Sequence, residues 1–181
     1  MKFKYKIIGA GWAICELQTA NETFTFKASY LSDALGDLLN ALLSLNSDNN
    51  PEFYEDKTEF RWYQEPGLTV WHVKAFDIKS NAENLSFRVN QYLNDSGKGA
   101  PESTSAFACN YDEFVFSVVE SLERLIQKFG LIGYQAIWGD TDFPVDAYLK
   151  LKHYSMHKTV FPFVNEENDD NLKTPPPEGL P

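Results

Sequence analysis

Cysteine is scarce. The chain carries two, Cys15 and Cys109, far apart and neither in a C-x-x-C pair. That spacing excludes a thioredoxin-type redox motif and a cysteine-built zinc site. Both lie among apolar neighbours (Ala13, Ile14 and Leu17; Phe107 and Ala108) and read as buried free thiols. No apolar run approaches the about 20 residues of a membrane-spanning helix, so no membrane partner is expected. The opening Met1-Lys2-Phe3-Lys4-Tyr5-Lys6 lacks the apolar core of a secretion signal and alternates like a strand. With no signal and no disulfide framework, the expected compartment is the cytoplasm. Basic residues are also outnumbered: 16 Lys+Arg stand against 26 Asp+Glu, a net charge of −10. A phosphate-backbone binder needs a basic footprint, so nucleic acid is not an expected partner.

The catalytic and cofactor motifs are missing as well. Gly9-Ala10-Gly11 begins a dinucleotide fingerprint, but Ile14 stands where the third glycine belongs and no helix opens there. A bulged strand is the better reading. There is no P-loop and no G-x-S-x-G. The histidines are His72, His153 and His157. His153 and His157 have the i, i+4 spacing of a metal pair, without the H-E-x-x-H glutamate or an evident third ligand. His72 lies mid-strand and reads as a hydrogen-bonded sheet histidine. Glu55, Asp56, Glu59, Glu65, Asp140, Asp142 and Asp146 read as solvated surface charge, and Asp140 to Asp146 lacks the glycine and glutamate of an EF-hand loop. No catalytic residue, metal ligand or cofactor is assigned.

What is present is a folded core. With 43% hydrophobic and 15% aromatic residues, the chain is too rich in core formers to be wholly disordered. Its length suits one domain that buries roughly 70% of its unfolded surface. Residues 2–17 read as a long β stretch, with Phe3, Tyr5 and Ile7 alternating against lysines. Residues 23–28 alternate cleanly, Phe24, Phe26 and Ala28 on one face. Over residues 29–45 the period changes. Leu31, Leu35, Leu38, Leu42 and Leu45 form one helical face, with Ser29 or Ser32 as cap and Asp33 at the positive end of the dipole. Residues 58–64 and 68–78 form a hairpin about Glu65-Pro66-Gly67, with Pro at the second turn position and Gly at the third. Residues 85–90 are another strand, 94–105 a flexible loop, and 107–109 a short edge strand. Asn110 caps the strongest helix, striped by Phe114, Val118, Leu122, Leu125 and Phe129, with Gly130 as its stop. Residues 133–139 read as irregular or short helix, and Pro144 as the first residue of a third helix. Phe161 to Val164 suggest a last strand or a packed extension. The order β-β-α-β-β-β-(β)-α-α with hairpin-length connections gives an α+β fold, a mainly antiparallel sheet with helices packed on one face. A single domain spans 1–164, and 165–181 is an acidic, proline-rich flexible tail.

This series resembles a family of small bacterial proteins with no assigned activity. The segments that carry the resemblance are SYLSDALGDLLNALLSL, the E-P-G hairpin running into LTVWHVKAFD, the helix YDEFVFSVVESLERLIQKFG, and GYQAIWG followed by FPVDAYLKLK. It covers roughly residues 5–152. Its motifs are structural and bring no catalytic residue.

The leading functional expectation is a non-catalytic cytoplasmic binding protein, of immunity or inhibitor type, that caps a basic protein partner. Opposite charge speeds such an encounter and adds specificity. Trp62, Tyr63, Glu65 and Trp71 flank the E-P-G turn and are the expected partner-binding residues, because aromatics dominate interface hot spots. The alternative is a small-ligand module with an aromatic-lined pocket. The third reading is an enzyme whose site is assembled from dispersed residues, for which a cleft holding His72 and a perturbed carboxylate would speak. The first β segment also offers an edge for pairing with a second copy, as in a homodimer.

Overall fold

Three lysines alternate with Phe3, Tyr5 and Ile7, and that alternation makes the first strand. The computed structural model describes residues 1–47, 55–78, 82–139 and 141–159. Its elements are β1 (Lys2–Gly9), β2 (Trp12–Gln18), β3 (Thr23–Ser29), α1 (Ala34–Ser44), β4 (Lys57–Gln64), β5 (Gly67–Ala75), β6 (Leu85–Tyr92), β7 (Ser103–Cys109), α2 (Tyr111–Ile137) and α3 (Val145–His157). The fold is α+β and every strand pairing is antiparallel. The strands divide into two sheets, ordered β1-β2-β3 and β4-β5-β6-β7.

One strand was expected where two occur. Gly9, Ala10 and Gly11 have φ of 121°, 41° and 75°. Three consecutive positive values reverse the chain, so Gly9-Ala10-Gly11 forms the turn of a hairpin, and the expected irregularity appears beside it as a register shift between Ile7 and Gly9. Gly11 is also required sterically: a Cβ there would lie 2.7 Å from Tyr30 Cδ1. The 94–105 loop is shorter than expected, since β7 begins at Ser103 and forms a full edge strand. The expected strand at 161–164 and the tail at 165–181 lie outside the described residues.

Helix boundaries show which local signal prevails. Asp33, not Ser29 or Ser32, is the cap of α1: its Oδ1 accepts from the Gly36 N–H at 3.0 Å. Leu31 therefore falls before the helix. Asn110 caps α2 as read, accepting from the Glu113 N–H at 3.1 Å. Gly130, at φ 66° and ψ 177°, breaks the helical path where a stop was expected. The chain then resumes helical geometry to Ile137, so residues 133–137 are helix. Pro144 is the N-cap of α3, one position before the expected one.

A single buried cluster draws on all ten elements. Aromatic rings bridge the two sheets: Phe26 meets Trp71 at 4.6 Å and Tyr5 meets Trp62 at 6.3 Å between centroids. Phe114 of α2 touches Phe3 and Phe87, one from each sheet. Tyr111 Oη donates to the Leu42 carbonyl at 2.7 Å and ties α2 to α1.

The outer edge of β1 is closed by a helix. The N–H groups of Phe3 and Tyr5 point away from β2 and donate to Ser117 Oγ (2.7 Å) and Ser121 Oγ (2.8 Å). Two strand residues advance about 6.6 Å and four helical residues about 6 Å, so the two periods match here. The first half of β1 is thereby closed to edge pairing with a second copy.

Candidate functional site

The two tryptophans expected at a contact surface are in the core. Trp62 is 0% and Trp71 1% exposed, with ring centroids 4.8 Å apart. Parity explains it. Phe60 and Trp62 share the inward face of β4, and Trp71 is the cross-strand partner of Phe60. Phe60 stacks on Trp71 at 5.5 Å. Trp62 and Trp71 therefore contribute no exposed surface at the turn. They hold the hairpin that carries the other two expected residues.

Tyr63 and Glu65 do sit together at the hairpin tip. Gln64 pairs with Gly67, leaving Glu65 and Pro66 between them, joined by a cis peptide. This is a turn with proline at its third position, which corrects the expected type. Gly67 opens β5 and needs to be glycine for another reason: a Cβ would come 2.5 Å from the Tyr92 carbonyl oxygen. The Tyr63 N–H donates to Ser32 Oγ at 3.4 Å, which fixes the tip against the segment before α1.

That contact builds a cleft of about 640 Å³ lined by Leu31, Tyr63, Glu65, Pro66, Leu93 and Asp95, with Gly67 and Asn94. Leu31 is 49% exposed and Leu93 69%. Two carboxylates, Glu65 and Asp95, stand in the wall, and no cation lines it. Leu31 and Leu93 were missed from sequence: one seemed to belong to a helical stripe, the other to end a strand. The neighbouring loop is tied to itself, with Ser96 Oγ donating to Asn94 Oδ1 at 2.5 Å and the Lys98 N–H to Ser96 Oγ at 3.3 Å.

A second polar arrangement crosses the outward face of the four-stranded sheet. Thr104 Oγ1 donates to Asn90 Oδ1 at 2.9 Å. Asn90 Nδ2 lies 3.3 Å from His72 Nε2, and His72 Nδ1 lies 3.2 Å from Glu59 Oε2. The direction of the His72–Asn90 bond follows the imidazole tautomer, and the Nδ1 side of the ring is turned to the Glu59 carboxylate. Arg61 donates to the other oxygen of Glu59 at 3.0 Å. His72 is thus a hydrogen-bonded sheet histidine, as expected. Its Nε2 faces an amide and not a hydroxyl or thiol, so the Glu59–His72 pair has no nucleophile beside it.

The remaining candidates are separate. His153 and His157 face each other on α3 with centroids 4.5 Å apart. Among the described residues, no group of three or more His, Cys, Asp or Glu is placed to hold a metal. Cys15 and Cys109 are free and buried, and burial pushes both thiols up, Cys109 to about 12. Asp37, in the first turn of α1, is raised to about 6, first by burial and then by the charge of Asp33. It does not line the cleft at the hairpin tip. No protein-family model and no curated protein matches this sequence. No helix among the described residues is long and apolar enough to cross a membrane.

Proposed function

We propose that this is a non-catalytic binding protein that holds a basic protein partner at the cleft beside the β4–β5 turn. One observation carries the reading. Two exposed leucines and the Tyr63 ring lie beside Glu65 and Asp95, in a cleft without a cation. Such a surface suits a loop that brings an apolar anchor flanked by Lys or Arg. The net charge of −10 supports it, because a field of that sign accelerates encounter with a basic protein. The rigid aromatic core under the turn supports it too, since a preformed surface loses little entropy on binding. Two free, buried thiols suit a cytoplasmic setting. Inhibitor or immunity action is the form of this function that the charge favours.

The test is site-specific photocrosslinking in the source cells from position 63, with Lys27 on β3 as the control position. A single basic protein crosslinked from 63 and not from 27, and lost in a Glu65→Lys, Asp95→Lys variant, is the expected result. Crosslinks that are scattered, or that survive the charge reversal, overturn it.

A further inference from the structure

The outward face of the second sheet carries an arrangement that the partner-binding reading does not use. Register places Lys57 directly opposite Lys74, and His72 opposite Arg88. Lys74 and Arg88 are then diagonal neighbours, about 7–8 Å apart at the backbone. Like charges so placed repel each other. Glu59, which faces the same way, is taken by Arg61 and His72. Among the described residues, neither Lys74 nor Arg88 pairs with a carboxylate. Glu55, Asp56 and Glu59 line the adjoining cleft on the β4 side, together with Lys57, His72 and Lys74. On the β6–β7 side no carboxylate lines the cleft.

That side is a cleft of about 750 Å³. Its short residues are Ser86, Ala106 and Ala108, and longer cationic or amide chains rise around them: Lys74, Arg88 and Asn90, with His72. The Thr104–Asn90–His72–Glu59 chain of hydrogen bonds fixes the rotamers of two of these walls. Among the lining residues, Lys74, Arg88 and Ser86 supply an ammonium, a guanidinium and a hydroxyl.

We propose that this cleft binds the phosphate group of a small molecule. Phosphate offers three acceptor oxygens and a double negative charge to a planar guanidinium, an ammonium and a hydroxyl. A nucleic acid fits less well. Of the rings in the lining, Phe87 and Phe107 belong to the core-packed parity of β6 and β7, which leaves His72 as the outward ring, short of the row of rings on which successive bases stack. A long polyanion would also extend past the two cations over the surface of a chain at −10, whereas a small ligand stays within a screening length of them.

The experiment is a titration of the isotope-labelled full chain, followed by amide chemical shifts at constant ionic strength. The probes are inorganic phosphate, glycerol 3-phosphate and succinate, each to about 20 mM. Shifts from both phosphates confined to β5, β6 and β7, and weaker ones from succinate, are expected. Lys74→Gln and Arg88→Gln should each weaken binding by about tenfold or more, and Lys27→Gln on β3 should not. Ser86→Ala, a smaller change, serves if either charge variant loses its dispersed spectrum. Tighter binding of the ester than of free phosphate supports a phosphorylated metabolite as occupant, and equal binding supports phosphate itself. No shifts, shifts unchanged by the variants, or succinate equal to phosphate overturn the proposal. Loss of photocrosslinking at Tyr63 would leave this result standing, since the two clefts share no residue.

Discussion

Replacing Asp37 with asparagine is expected to stabilise the protein at neutral pH and to do nothing at pH 4. The Asp37 carboxyl is raised from 3.8 to about 6, chiefly because half of it is withdrawn from water and then because Asp33 lies nearby. A raised carboxyl means the folded state binds the proton more tightly than the unfolded chain. Stability linked to this group is therefore complete below about pH 4 and lost as pH rises through 6. The full shift of about 2 units corresponds to about 3 kcal/mol. The group is only half buried, and solvent screening reduces that to about 1 kcal/mol. The helix dipole opposes the substitution by a few tenths, because Asp37 lies in the first turn of α1. Asp33 keeps its cap in the variant. The assay is urea unfolding followed by tryptophan fluorescence at pH 4, 6 and 7.5, since Trp62, Trp71 and Trp138 are all buried. A gain near 1 kcal/mol at pH 7.5, or roughly 2–4 °C in Tm, that shrinks to nothing at pH 4 is the expected result. Equal destabilisation at all three pH values would refute the reasoning, because it would mean that the carboxylate makes a bond the asparagine does not replace.

Three further outcomes follow from the fold. Ser117→Ala and Ser121→Ala should each cost about 1–3 kcal/mol in denaturant unfolding, since each leaves a buried strand N–H without an acceptor; a neutral result would mean water reaches that edge. Gly11→Ala should cost about 1 kcal/mol or more and lower Tm, from its positive φ and its clash with Tyr30; an unchanged Tm would show that the hairpin turn relaxes freely. Cys15 and Cys109 should resist a water-soluble alkylating reagent at pH 8 until urea unfolds the chain, because burial holds both as thiols; fast labelling of the native protein would contradict their burial.

Much of the fold was legible because it was written in short-range periodicity. The alternation in β3 and β6, the leucine stripe of α1 and the Asn110 cap each depend on neighbours within a few residues. The errors came where one local rule had two solutions. Gly9-Ala10-Gly11 permits either a bulge or a reversal, and the pairing of Ile7 with Ala13 and Gly9 with Trp12 shows a reversal with a register shift next to it. Ser29, Ser32 and Asp33 all suit a cap, and Asp33 prevails because Ser29 ends a strand. The candidate site was half legible. Tyr63 and Glu65 follow from the turn, whereas Leu31 and Leu93 join them from segments about 30 residues away in either direction. The burial of the two tryptophans was legible in part: Lys57, Glu59 and Arg61 alternate with Phe60 and Trp62, which marks the buried parity of β4, whereas Trp71 joins that face only through the β4–β5 register. The Glu59–His72–Asn90–Thr104 line depends on the register of four strands, which loop lengths did not reveal.

The lysine pair at the sheet face allows folding and binding to be weighed against each other. Lys57 opposite Lys74 is a poor choice for stability alone. Lys74→Glu creates an opposite-charge pair with Lys57 and a second attraction to Arg88, set against repulsion from Glu55, Asp56 and Glu59 in the adjoining cleft. It should raise stability by up to about 1 kcal/mol at low salt. In 1 M salt, where the screening length is about 3 Å, the gain should vanish. Lys74→Gln should fall between the two, since it removes repulsion without adding attraction. Phosphate should reverse the order: it should raise the Tm of the natural chain, through preferential binding to the folded state, and leave Lys74→Glu unmoved. If Lys74→Glu is instead destabilising at low salt, the lysine serves the fold through its stem, which extends toward the exposed Phe76 ring 6.0 Å from Nζ. Comparing the glutamine and glutamate variants separates these cases, because both shorten the stem and only one inverts the charge.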